Sequence, residues 1–378
     1  MKLFRFLPVV LCAFLLTVQV LAMRVQVGLF TDATHATYTV TARYGSCEVR
    51  SRNGMLLRLE ENQEVTLEAV SGNVRVKSDG RVYGVFAMVR VHPSAATHQA
   101  LVADGRFSTG CHDDVIFKVK EVGLLAINVV ELEEYVASVV ESEIMSGETP
   151  EMIKVQAILI RTYVIGNLQR HAKDGFDLCD RVHCQVFNGR DRYQENVRKT
   201  VRANQGKVLV GEDGKLILAV YHSNCGGQTS RASDTWSEEV PALQSVVDTF
   251  CRSSKHANWS KVLTRSRWEQ YLSSKGIDCN DSMVACYDTD SDSLDRICCI
   301  MDLQKKVVRK DLDLPSAFFS VTLQDEYAVI AGRGFGHGVG LCQEGASVMA
   351  ASGVSADDIL MYYYCGTKVV KYKPDRKR

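Results

Sequence analysis

The stretch "NVVELEEYVASVVESEIMSGETPEMIKVQAILIRTY" (residues 128–163) changes its period after the first three residues. Up to Val130 it closes an apolar, β-branched run; from Glu131 the apolar residues recur at helical spacing. Tyr135, Val139 and Glu143 follow one another at i, i+4 and i+8, with Val136 and Val140 beside them. Glu143 therefore extends an apolar stripe, whereas Glu141 falls with Ala137 and Ser138 on a more polar face. A carboxyl group at the end of an apolar stripe is partly desolvated, which raises its pKa toward that of a usable general acid. After the break at "MSGE", Thr149 is suited to cap a second helix and Pro150 to begin it. That helix is apolar almost all round and should be buried. Arg161 inside it then requires a carboxylate or an anionic ligand as partner.

On the N-terminal side, residues 24–128 read as strands, with "MRVQVGLF", "TYTVTARYG", "EVTLEAVSG" and "NVRVKSDG" alternating between glycine, Asp and Asn punctuation. On the other side a helical stretch to about residue 172 gives way to loops and short strands up to about 250. The end returns to strands and to two helices at 341–351 and 356–364. Strands cluster instead of alternating with helices, so the fold class is α+β. The expected organisation is a leader at 1–22, a β-rich part at 23–130 and a helical and strand core at 131–250 that carries the acid. A cysteine-rich insertion or peripheral subdomain at 251–315, a returning part of the core at 316–367 and a basic tail at 368–378 complete it.

With 46% hydrophobic and 24% charged residues, the chain can bury a sizeable core. Lys plus Arg and Asp plus Glu both number 45, so no net charge attracts a polyanion, and no nucleic-acid partner is expected. The basic cluster at the C-terminus reads as a solvated end. "MKLFRFLPVVLCAFLLTVQVLA" has Lys2 and Arg5, an apolar run and a small-residue cleavage signal at Ala22, the pattern of an export leader; left uncleaved, it is near the length of a membrane anchor. Export places the chain in the periplasm or on the outer face of the cytoplasmic membrane. The 13 cysteines become 12 once Cys12 is removed, and in an oxidising compartment disulfides are their default reading.

Three further segments carry chemistry. "GRGFGHGVGLCQEGASVMAASG" (332–353) joins a strand to a helix through alternate glycines, without the spacing of a nucleotide loop. It permits close backbone approach, and His337 within it reads equally as a proton relay or saccharide contact and as a histidine tied to backbone. "RHAKDGFDLCDRVHCQVFNG" (170–189) brings His171, Cys179, His183 and Cys184 close in sequence, a tetrahedral zinc set or, alternatively, a Cys179–Cys184 disulfide. "AVYHSNCGGQTS" (219–230) holds Tyr221 and Ser223; Ser223 beside His222 is no triad, because strand neighbours point to opposite faces.

"NVVELEEYVASVVESEI", "VQAILIRTYVI", "HCQVFNGR", "AVYHSNCGGQTS" and "GRGFGHGVGLCQEGASVMAASG" together, in this order, resemble the SpoIID/LytB family of peptidoglycan-acting exported proteins. The resemblance implies a SpoIID-like α+β fold and a lytic transglycosylase acting on glycan strands, preferentially those stripped of stem peptides. It maps the catalytic acid to Glu143, a supporting arginine to Arg161 and the family's Y-x-S-x-C-G-G positions to Tyr221, Ser223 and Cys225; His337 and Gln343 are expected beside them as further supporting or substrate-binding residues. It also implies a structural zinc at His171, Cys179, His183 and Cys184. Peptidoglycan is the implied partner, with a cell-wall amidase and division or sporulation machinery beside it. Because the family includes amidase enhancers, a peptidoglycan-binding activator that cuts nothing is the rival expectation. A zinc-dependent hydrolase, with no open metal position or base yet assigned, is the third.

Overall fold

The computed structural model describes residues 23–121, 123–236, 238–277 and 305–373. The expected leader, Cys279, Cys286, Cys298 and Cys299 in the cysteine-rich region, and the last five residues of the tail lie outside the described residues.

The alternating N-terminal half forms strands β1 (Arg24–Leu29), β2 (Thr37–Tyr44), β3 (Cys47–Ser51), β4 (Gly54–Leu59), β5 (Glu64–Val70) and β6 (Asn73–Ser78). It continues with β7 (Arg81–Phe86), β8 (Met88–Pro93), β9 (Gln99–Ala103), β10 (Ser108–Cys111), β11 (Asp114–Lys120) and β12 (Gly123–Glu131). One sheet runs β1-β12-β11-β8-β3-β4 and gains the short β13 (Leu178–Cys179) beside β1; the other runs β10-β9-β2-β5-β6-β7. Every second residue faces inward, and Tyr38, Val40, Leu67, Val76, Val91 and Phe117 from both sheets share one core.

Helix α1 (Leu132–Glu143) begins where β12 stops, with no loop between them. Helix α2 (Pro150–Gly166) starts as its sequence predicts: the Thr149 side chain accepts from the Met152 N–H at 3.2 Å and Pro150 is the first helical residue. The predicted helical stretch ends earlier than residue 172, at Gly166, and turns follow. Residues from Met152 to Ile165 are buried except Lys154, because α2 lies among α1, α3 (Glu195–Ala203), α7 (Gln343–Ala351) and α8 (Ala356–Tyr363). Glu148 and Glu151 around the break join these helices: Ser347 Oγ donates to Glu148 at 2.8 Å, and the Ala356 N–H donates to Glu151 at 2.9 Å.

Two boundaries differ from the sequence expectation. Lys368–Lys371 is a strand paired antiparallel with Lys207–Val210, so the basic tail is docked over its first residues; two valines flanked by lysines give too short a pattern to announce it. The peripheral subdomain is also larger than 251–315. Strand Asn258–Thr264 pairs with Tyr327–Arg333, which pairs with Phe319–Leu323. This sheet, which follows the short helix α4 (Ala232–Trp236) in the chain, packs on α5 (Arg265–Ser274) and α6 (Lys305–Asp311) around its own core of Leu263, Trp268, Leu272, Val308, Phe319 and Ile330. The strands expected to rejoin the main core at 316 belong to this unit up to Arg333. Among the described residues no helix is long and apolar enough to cross a membrane.

Candidate functional site

The acids of α1 separate by their partners. Glu133 is bound by Arg161 through two bonds, Nε to Oε1 at 3.0 Å and Nη2 to Oε2 at 2.6 Å. Glu134 is paired with Arg198, with Arg202 at 2.7 Å and with His112 at 3.1 Å, and these cations hold its carboxyl far below the usual range despite burial. Glu141 is not on a wet face: it is buried, accepts from Arg198 Nη2 at 2.8 Å and Nε at 3.1 Å, and also from the Gln194 N–H at 2.7 Å. The short sequence "VASVVE" hides this because its partner lies 57 residues away on α3.

Glu143, the last residue of α1, is different. Its Oε1 accepts a long bond from the Val186 N–H, 3.4 Å, and it has no ion pair among the described residues. Burial pushes its pKa above the ordinary glutamate value; the Val186 N–H and the Tyr221 hydroxyl oppose that shift without cancelling it. A pocket of roughly 630 Å³ opens beside it, lined by residues 141–146 and 191–194. The other two carboxylates on that lining are engaged, Glu141 by Arg198 and Asp191 by Arg43 at 2.9 Å.

Behind Glu143 lies a polar layer drawn from separate elements. Tyr221 sits on a two-residue strand, Tyr221–His222, paired in parallel with Leu341–Cys342 immediately before α7. Its hydroxyl lies against the amides of Gln156 on α2 and Gln185, and burial and the nearby Glu143 drive its pKa well above the ordinary tyrosine value. Tyr135 on α1 donates its hydroxyl to Gln185 Oε1 at 3.3 Å and stacks on Phe187, and Gln343 Nε2 donates to Gln156 Oε1 at 3.5 Å. The Nε2 atoms of Gln156 and Gln185 are buried with no well-formed hydrogen bond to any described residue. A buried amide left in this way costs stability unless something else accepts from it.

The structure thus brings Glu143, Tyr221 and Gln343 together and adds Tyr135, Gln156 and Gln185, which sequence reading missed. Gln156 offered the same signal as Arg161, a polar side chain within an apolar helix. Arg161 itself points elsewhere, its guanidinium filled by Glu133 and by the Lys207 carbonyl at 2.8 Å. Ser223 contributes its carbonyl, which accepts from the Glu344 N–H at 3.0 Å. His337 is tied to backbone on both ring nitrogens: Nδ1 accepts from the Val339 N–H at 3.1 Å, and Nε2 donates to the Tyr221 carbonyl at 3.0 Å. The alternate glycines do allow the close approach expected of them. A Cβ on Gly340, at φ +73°, would lie 2.2 Å from the Val220 carbonyl oxygen.

His171, Cys179, His183 and Cys184 also come together, with one donor atom from each within 4.8 Å of the others. The eight described cysteines are free, so Cys179 and Cys184 stand here as thiols facing imidazoles: Cys184 Sγ is 3.5 Å from His171 Nε2 and 3.7 Å from His183 Nδ1. Ligands at ~2.0–2.3 Å from a tetrahedral zinc are separated by distances of this size. His171 Nδ1 meets Asp174 at 2.9 Å, the outer carboxylate that orients a ligating imidazole. The residues fit a four-ligand metal with no open position. Gln185 and Val186, which serve the Glu143 site, follow Cys184 directly.

A β-sandwich thus feeds a helix that ends in a desolvated glutamate with no ion pair among the described residues, backed by a Tyr/Gln layer and flanked by a Cys/His cluster. A sequence profile described as "Stage II sporulation protein" (SpoIID) matches residues 120–210, from the end of β11 to the close of the strand Lys207–Val210. The stage II sporulation protein D of Bacillus subtilis is 30% identical over 257 residues, covering 63% of this chain and 74% of that protein. An uncharacterised protein of Brachyspira hyodysenteriae is 28% identical over 260 residues, covering 66% and 69%. The amidase enhancer of Bacillus subtilis is 26% identical over 297 residues, covering 62% of this chain and 40% of the enhancer. The chain belongs to the SpoIID family.

Proposed function

We propose that the chain is an exported lytic transglycosylase that cleaves the bond between N-acetylmuramic acid and N-acetylglucosamine in peptidoglycan, preferring strands without stem peptides. Family membership and the likeness to an amidase enhancer support a cell-wall role. The observation that carries the enzymatic reading is Glu143 itself, a carboxyl group raised in pKa by burial and free of cations beside an open pocket.

In this reading protonated Glu143 donates to the leaving glycosidic oxygen as positive charge develops at C1. The carboxylate so formed then takes the proton from the muramoyl 6-hydroxyl, whose oxygen attacks C1 and closes a 1,6-anhydro ring. No water is activated, so one carboxylate serves both steps, where glycoside hydrolysis generally uses two. The engagement of Glu141 and Asp191 by arginines agrees with a single working acid. The buried Gln156 and Gln185 amides support Tyr221 behind the acid, and Tyr193, with Arg190 and Arg198 against its ring, is the half-exposed aromatic side chain on the pocket lining. A zinc ion held by His171, Cys179, His183 and Cys184 would be structural, fixing the segment that supplies Gln185 and the Val186 N–H.

The second reading, favoured by the likeness to the amidase enhancer, is a protein that binds glycan and activates an amidase. Digestion of peptide-free glycan with the purified chain separates the two. Release of 1,6-anhydro-muramoyl products supports the enzyme, binding without products supports the enhancer, and ordinary reducing ends would overturn the transglycosylase chemistry.

A further inference from the structure

Cys225, Asp248, Cys251 and Cys342 meet in the second core of the molecule, with one donor atom from each within 4.8 Å of the others and all four side chains buried. They come from three distant segments: the loop after Tyr221, the "VVDTFC" turn, and the residue that caps α7. Cys225 Sγ lies 3.4 Å from Cys251 Sγ and 3.3 Å from Asp248 Oδ2. Cys342 Sγ accepts from the Cys225 N–H at 3.3 Å and the Gly345 N–H at 3.4 Å.

Two features of this cluster ask for a cation. Asp248 is fully buried and accepts from the Phe250 N–H and the Tyr363 hydroxyl, at 2.9 and 2.8 Å, but has no ion pair among the described residues. A carboxylate removed from water without a compensating positive charge is costly. In addition, three thiols converge where a disulfide could use only two. A sulfur separation of 3.4 Å is well beyond the ~2.05 Å of a disulfide. It is close to the edge of a tetrahedron whose centre lies ~2.3 Å from each sulfur. The N–H groups turned toward Cys342, at the positive end of α7, suit a thiolate.

We propose that Cys225, Cys251 and Cys342, with Asp248 as an oxygen ligand, form a second metal site, taking a zinc-class divalent ion. Soft sulfur donors with one carboxylate favour zinc over both copper(I) and the hard oxygen-seeking ions. Tyr363 is its outer partner, orienting Asp248. The site closes all four positions with protein and so is structural. It clamps the strand bearing Tyr221 to the start of α7, where Gln343 follows Cys342 directly. Cys225, Cys251, Cys342 and Asp248 are thus positioning residues for the polar layer behind Glu143.

The test uses the full purified chain, never exposed to reductant or chelator. Zinc is counted by native mass spectrometry, and thiols are mapped by alkylation before and after denaturation with chelator. In the folded chain Cys225, Cys251 and Cys342 should resist alkylation. After denaturation with chelator, all three should label without any reductant. Cys342→Ser should hold one zinc fewer than the parent. Should that variant fail to fold, Asp248→Asn keeps the shape and should lose at least about tenfold in zinc affinity by chelator competition. Labelling of Cys225 and Cys251 that requires reductant would reveal a disulfide and overturn the site. Unchanged zinc stoichiometry in Cys342→Ser, or unchanged affinity in Asp248→Asn, would overturn it equally.

Discussion

Glu143 and Glu141 are two residues apart on one helix, yet Glu141 is held by Arg198 while Glu143 lines the pocket with no ion pair among the described residues. Glu143→Gln keeps the volume but removes the transferable proton; product formation should fall by at least the ~10²–10⁴-fold typical of general acid–base catalysis, with glycan binding retained in a pull-down. Because desolvation raises the Glu143 pKa, its acid form persists above the ordinary glutamate range, and activity should decline as pH rises through that elevated value. The Tyr221 hydroxyl favours the ionised carboxylate, so Tyr221→Phe should move this alkaline limb to higher pH; a limb that stays or moves down would contradict the contact. Glu141→Gln should act on stability instead. It leaves buried Arg198 with Glu134 as its remaining carboxylate, an expected loss of about 1–3 kcal/mol in denaturant unfolding, with the pH profile of the folded fraction unchanged.

Helix α2 extends the same logic to an element. Its interior arginine found the carboxylate that burial demanded, and Arg161→Leu should cost about 3–5 kcal/mol because Glu133 would be left charged and buried. The packing of the 219–230 segment on the glycine segment makes a different prediction. His222 and His337 are held neutral, burial lowering their pKa values to about 3 and about 4. In the unfolded chain they take up protons near the ordinary value of ~6.5. Their contribution is thus whole above that pH and declines as pH falls toward the folded values, so the hydrogen-exchange protection of residues 334–341, taken relative to the intrinsic rate at each pH, should fall on acidification before that of the sandwich. Much of this scale was legible beforehand. Alternation gave the sandwich strands, Thr149 and Pro150 gave the start of α2, and the apolar stripe pointed to Glu143. Gln156 was passed over although it gave the signal that Arg161 gave, whereas Tyr135 read as one more residue of the apolar stripe and Gln185 lies in an irregular segment with no period to single it out. Cys225, Cys251 and Cys342 were hidden because only the fold makes neighbours of residues 26 and 117 positions apart.

For the molecule as a whole, the Glu143 site has two walls, each rooted in a cluster of sulfur donors: Cys179 and Cys184 beside Gln185, and Cys225, Cys251 and Cys342 beside Tyr221 and Gln343. If the first cluster holds zinc as proposed, chelation should lower the melting temperature and speed hydrogen exchange at Gln185 and Val186, and zinc added back should reverse both. The opposite end of the site owes its position to something plainer, the absence of any loop between β12 and α1. With strand and helix fused, the acid rides on a rigid rod about 18 Å long whose base is set in the sheet, at 1.5 Å of rise per residue over its 12 residues. Such a rod works like the shank of a key. Lengthening it by one residue would turn the acid through ~100° and carry it ~1.5 Å along the axis, away from Tyr221. On the proposed function, one additional residue within α1 should silence glycan cleavage while leaving the sandwich intact.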